Sequence, residues 1–170
     1  MGREQGTLKE SAAFRQLKRK KQALSAEECR AILKTELRGV LSVNGDCGYP
    51  YGMPMNHYYC EEDGRLYFHC GASGHRLDAL RRDGKASFCV CDGGTRKEGE
   101  WALTFRSVIV FGHVVFVEDR ETVLRISRLL SYKFTADEDY INREIEAAGK
   151  STRMFALVPE SVTGKLVNEA

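Results

Sequence analysis

Residues 107–117 read SVIVFGHVVFV and show almost no alternation between apolar and polar positions. A strand with one face in water alternates, so both faces of this one need cover. Gly112 in its middle points to a bulge or a tight barrel bend. At 170 residues the chain is the size of one domain. In a domain that small, a strand is covered on both sides in a closed barrel whose outside also meets a helix or another subunit. A homodimer is therefore expected.

The remaining segments fit around such a barrel. Ser25 and Glu28 form a capping box, Leu24 and Cys29 are spaced as a hydrophobic staple, and Cys29, Ile32 and Leu33 give a helical apolar face that ends by Gly39. Residues 40–43, 49–60 and 66–70 are apolar or aromatic runs joined by the turns at 44–48 and 61–64, an antiparallel meander. Residues 71–84 read as a short helix, with Ser73 as cap, Leu77 and Leu80 inward and Gly84 as stop. Strand character returns at residues 86–91, before the charged, glycine-rich loop 92–100. Asp119 caps a helix with the stripe Val123, Ile126 and Leu130, and residues 137–148 form a second helix ending at Gly149. Residues 154–158 and 162–167 are strand, broken by Pro159. This order predicts an α+β chain: a mainly antiparallel barrel or strongly curled sheet with peripheral helices, not an alternating βα fold.

Charge and cysteine usage narrow the function classes. The 26 basic and 24 acidic residues leave a net charge of +2, too near balance for a nucleic-acid binder. Residues 15–21, RQLKRKK, are the one basic run, either a solvated arm or one that faces a phosphate or partner. Residues 1–22 are thus expected as a mobile basic arm, and residues 23–170 as a single domain. With no apolar run behind the early charges and none near 18 residues long, a soluble cytoplasmic protein is expected. Cys29, Cys47, Cys60, Cys70, Cys89 and Cys91 form no C-x-x-C pair. The spacing of His57, Cys60, His69 and Cys70 matches no structural-zinc pattern, so no metal is expected and the cysteines are read as buried free thiols.

The chemistry concentrates in residues 66–80, LYFHCGASGHRLDAL. A strand ends at Cys70, a glycine-bearing loop follows, and a helix starts near Gly74 with His75 and Arg76 in its first turn. Free backbone N–H groups, a glycine and a guanidinium together make an anion site, for which phosphate is the natural occupant. Arg76 can alternatively be a solvated helix residue. His69 ends the strand on the face opposite Phe68 and Cys70, as a half-buried structural histidine or as a ligand contact. Ser107 is a strand-end cap or a ligand contact.

This strand–loop–helix, followed by KASFCV, resembles the flavin-binding core of the pyridoxamine 5′-phosphate oxidase-like split barrels, and more narrowly the nitroimidazole-resistance branch. GVLSV at residues 39–43, GYPYGMPMNHYY at 48–59 and SVIVFGHV at 107–114 agree with it, so the resemblance spans about residues 24–165. It implies FMN, with FAD the other flavin, in a groove at a dimer interface. His69 and Cys70 would lie along the flavin, Gly74, His75 and Arg76 would hold its phosphate, and Ser107 would contact the ring system. Tyr51, Met53, Pro54, Met55 and Asn56 would pass the isoalloxazine on the neighbouring strand. A histidine at the His69 position is tied in that branch to reduction of nitro compounds, which makes His69 the catalytic candidate. The oxidases proper end in a basic segment that grips the substrate phosphate, whereas this sequence has no arginine after Arg153. The resemblance therefore implies a flavin-dependent reductase of small electron-poor compounds. A flavin-sequestering protein and a haem- or deazaflavin-binding barrel are the alternatives.

Overall fold

The computed structural model describes residues 14–148 and 151–169. Residues 1–13 of the basic arm and the helix stop at Gly149 lie outside the described residues. The elements in chain order are α1 (Ala26–Thr35), β1 (Arg38–Asn44), β2 (Pro50–Asn56), β3 (Tyr58–Tyr59), β4 (Leu66–Cys70), α2 (His75–Arg82) and β5 (Lys85–Cys91). There follow β6 (Thr95–Arg96), β7 (Leu103–Val117), α3 (Arg120–Ser131), α4 (Glu138–Ala148) and β8 (Arg153–Asn168). This is the expected α+β order. One antiparallel sheet runs β2-β1-β5-β7-β8-β4-β3, with the short β6 attached to β7. Among the described residues no helix is long and apolar enough to cross a membrane.

The capping signals at Ser25 and Asp119 act as read. Ser25 N donates to Glu28 at 2.7 Å, and Glu28 N donates to Ser25 Oγ at 3.2 Å. The Asp119 carboxylate accepts from Thr122 N at 2.8 Å, and Val123, Ile126 and Leu130 are the buried stripe of α3. Gly112 sits at a register shift in the β7–β8 ladder, opposite Pro159. A Cβ on Gly112 would come within 2.1 Å of Val158 O, so only glycine fits this close approach.

Four local expectations are corrected. Pro159 does not break the last strand, because its missing N–H falls at that irregularity and β8 runs through it. Ser73 does not cap α2; Gly74 does, at φ 129°, a backbone conformation that an L side chain resists. Gly39 lies inside β1 rather than at the end of α1. The three-strand meander does not form either. β2 pairs only with β1, β4 pairs with β3 and β8, and the chain turns between them at His57. His57 is fully buried, with one ring nitrogen 2.8 Å from Leu33 O and its Nδ1 unpartnered. Beside it, Lys133 Nζ donates to the carbonyls of Glu36 and His57, tying the end of α3 to the turn.

Two cores result. Inside the barrel, Phe68 stacks on Phe155 at 5.2 Å and meets Phe88 edge-on at the same distance, within a cluster that includes Leu41, Leu66 and Val110. Outside it, Tyr67, Met154 and Ala156 pack beneath Val123 and Ile126 of α3, with Val115 and Val117 at the margin. All six cysteines are free thiols; Cys29, Cys60 and Cys70 are buried, whereas Cys47, Cys89 and Cys91 are exposed, against the expectation of uniformly buried thiols. Cys47 sits in a turn, and Cys89 and Cys91 point outward from β5, where alternation gives them the face away from Phe88 and Val90.

Candidate functional site

Although β2 and β4 lie far apart in the strand order, the curl of the sheet brings them back to one seam. Pro54, Met55 and Asn56 of β2 line a cleft of about 360 Å³ with His69 and Cys70 of β4, Gly71, and Arg76 of α2. Six of the expected site residues therefore meet in one place, and Gly71 joins them. The site lies where two strand edges face each other without a shared ladder, so side chains and loop backbone are open to a ligand.

The other expected residues lie elsewhere. Tyr51 stacks on His75 with ring centroids 4.3 Å apart, and His75 Nε2 lies 3.3 Å from Asp46. This pair braces the start of α2 against the turn between β1 and β2, and neither ring lines the cleft. Met53 points into the barrel core. Gly74 shapes the entry of α2, whose first amides have no partner within the helix. Ser107 faces Cys91 and Lys165 across the central strands and is not a wall of this cleft.

Arg76 gives the cleft its sign. Its Nε is buried without a partner, and the one bond its guanidinium makes among the described residues goes to the weak acceptor Met55 Sδ, at 3.3 Å. A half-buried guanidinium with so little satisfaction carries an unmet demand for an anion. His69 titrates below the ordinary histidine range, first through desolvation and then through the nearby Arg76 charge. Its imidazole is thus biased neutral and has no hydrogen-bond partner among the described residues. Burial pushes the Cys70 thiol up, partly offset by Arg76, Arg153 and Arg81. Among the described residues no three His, Cys, Asp or Glu side chains are grouped to hold a metal ion. The arrangement can bind a phosphate-sized anion and present a neutral imidazole beside it.

Asn56 and His69 also form a wall of a second, half-open cavity of about 230 Å³, bordered by α3 and α4. Its apolar lining includes Val123, Leu124, Leu130, Phe134 and Ile145, and Ser127 and Glu144 add polar atoms. Sequence reasoning missed these residues. Their spacing reads as ordinary amphipathic helix, and only the tertiary fold brings two helices over the outer side of His69.

The family model described as pyridoxamine 5′-phosphate oxidase matches residues 25–166. A comparison with curated proteins found no match. Among solved structures, the chain is similar to a candidate 5-nitroimidazole antibiotic resistance protein from Bacteroides thetaiotaomicron, at 20% identity and TM-score 0.72 over 86% of this chain and 87% of that one. It is similar to an FAD-binding protein from Mesorhizobium loti, at 22% identity and TM-score 0.61 over 86% and 97% of the two chains. An FAD and heme binding protein from Mycobacterium smegmatis shares 20% identity at TM-score 0.67, over 86% of this chain and 73% of that one. At these identities the likenesses establish the split-barrel fold.

Proposed function

The chain belongs to the pyridoxamine 5′-phosphate oxidase family, and from that premise we propose that it binds a flavin, FMN, in the seam cleft and reduces small electron-poor compounds such as nitroimidazoles. The observation that carries this reading is the buried, unpartnered Nε of Arg76 beside a glycine-started helix. The residues fit the group: the guanidinium and the open amides of α2 suit a terminal phosphate, and Pro54, Met55 and Cys70 add apolar contacts for a flat ring to an otherwise polar lining. A bound flavin supplies the electron transfer. The protein's part is to hold the phosphate through Arg76, to exclude water with β2 and β4, and to present a His69 N–H to the atom being reduced. FAD is the alternative flavin, and the solved relatives named as FAD-binding make it a necessary arm of the test. We further propose that two copies associate through the exposed outer face of the central strands, with the flavin at their interface.

The test is a titration of FMN, FAD and riboflavin against wild type and Arg76→Ala. A lost charge-assisted bond of roughly 1.5–3 kcal/mol weakens FMN by about one to two powers of ten. Riboflavin, which has no phosphate, binds both proteins nearly equally. Unchanged FMN affinity, or an equal loss for riboflavin, removes the phosphate site. His69→Ala is expected to keep the flavin but to lose nitro-compound reduction by about a hundredfold, the scale of a positioned proton donor; loss of flavin, or normal turnover, refutes that role.

A further inference from the structure

His69 and Asn56 each belong to two cavities at once, the seam cleft and the half-open cavity under α3 and α4. The rest of the second cavity is assigned nothing by the flavin reading, and its chemistry is different. The seam offers a guanidinium and glycine backbone. The helical cavity presents Leu124, Leu130, Phe134 and Ile145, with donors gathered at the wall it shares.

Those donors have a fixed sense. Asn56 Oδ1 accepts from Arg38 Nε at 2.8 Å, so the amide nitrogen of Asn56 is the free end of the group. Among the described residues the His69 ring has no hydrogen-bond partner and the Ser127 hydroxyl makes no hydrogen bond. Ser131 Oγ, by contrast, is engaged, donating to Ser127 O at 2.9 Å. The shared wall therefore offers the N–H groups of Asn56 and His69, and the Ser127 hydroxyl of α3 adds an O–H to the otherwise apolar cavity. At about 230 Å³ the cavity lies below the roughly 300–1,000 Å³ of drug-sized sites and matches the size of a single-ring compound. Glu144, exposed at the α4 side, disfavours an anion there.

We infer that this cavity is the substrate pocket: it takes a neutral, flat, single-ring compound whose oxygen acceptors turn toward Asn56 and His69 while its apolar edge packs on Leu124, Phe134 and Ile145. The inference rests on the flavin reading of the seam, because the shared wall is what brings such a compound beside the flavin. Substrate size and polarity are then set by α3 and α4, not by the strands that hold the cofactor. Ser127 and Ala148 are specificity positions of this pocket.

The experiment follows 2-methyl-5-nitroimidazole binding by two-dimensional amide NMR, on the flavin-free and the FMN-loaded chain, for wild type, Ser127→Phe and Ala148→Phe. Ala148 is exposed at the end of α4, so its replacement fills the mouth of the pocket without touching the core, and thermal melts verify the fold of each variant. The expected result is saturable shifts in the amides of α3 and α4 and around His69, at least tenfold weaker affinity in both variants, and unchanged FMN affinity. No shifts in wild type, shifts confined to other elements, or equal affinity in both folded variants overturns the pocket. Failure of the flavin reading has a separate signature: no variant binds FMN, while probe binding is still read on the flavin-free chain.

Discussion

The two halves of β7 send the same kind of side chain outward into different surroundings. Beyond the Gly112 bulge, Val115 and Val117 pack against the core under α3. Before it, Ile109 is 38% exposed and Phe111 42%, with Val40 of β1 at 41% on the same side of the sheet. What covers Phe111 among the described residues is the ring of Phe14, stacked on it at 5.7 Å. A run without alternation thus states that two faces need cover and leaves open who supplies it. In the second half the chain covers itself with a helix. In the first half it offers an apolar patch of the sort that marks an interaction site.

The sharpest way to test this contrast is to truncate one residue on each side. Ile126→Ala, in the covered half, should cost about 2–5 kcal/mol of unfolding free energy in urea melts at every protein concentration. Ile109→Ala should cost less than about 0.5 kcal/mol to the isolated chain, the scale of surface changes. Its effect should appear in assembly instead: wild type should sediment at twice 19.2 kDa with a concentration-dependent melt, and Ile109→Asp at 19.2 kDa while still folded. A wild type that is monomeric at micromolar concentration breaks the contrast.

The closed side should also answer to acid. His57 has its pKa pushed down to about 4, by burial first and by Lys133 second. The unfolded chain takes up this proton near the ordinary value of 6.5 and the folded chain does not. The contribution is therefore whole above pH 6.5, falls away as pH drops toward 4, and totals about 3 kcal/mol. Urea melts across that range measure it. His57→Gln, whose amide can still donate to Leu33 O, should flatten the slope; an equally steep slope in the variant assigns the acid sensitivity to another group. A smaller effect than that of His57 belongs to the open side, where Phe14→Ala should cost about 0.5–1.5 kcal/mol, the worth of one aromatic pair. A null result there means that the arm does not shield the patch.

Several local signals were enough, although the Ser73 cap, the Gly39 stop and the Pro159 break were misread. The capping box at Ser25, the Asp119 cap, the Gly112 bulge and the stripe Val123, Ile126, Leu130 each depend on residues within a few positions, and each formed as read. The glycine–histidine–arginine start of α2 was legible in the same way, and so was its nearness to His69. What local reasoning misassigned was partner choice. Residues 49–60 look like one strand beside 66–70, yet the turn at His57 hands β2 to β1 and β3 to β4. His75 and Tyr51 have the right chemistry for the site, but Asp46 and mutual stacking hold both rings at its margin. The walls contributed by α3 and α4 carried no local mark at all.

The longest ladder in the sheet has a consequence for time. β7 and β8 pair from Val117 with Met154 out to Thr104 with Asn168, and both α3 and α4 lie in the chain between them. No short turn can start this ladder, so its first contact requires closing a loop that spans two helices, an entropy cost that later pairs recover only gradually. Strand pairs of this separation belong to slowly folding topologies, reached in milliseconds to seconds. Until that closure β8 is absent and β4 has only the two residues of β3 beside it, so the edges of β7 and β4 that β8 will pair stand open to neighbouring chains. A newly made copy is thus most exposed to aggregation before its last sixteen-residue strand arrives.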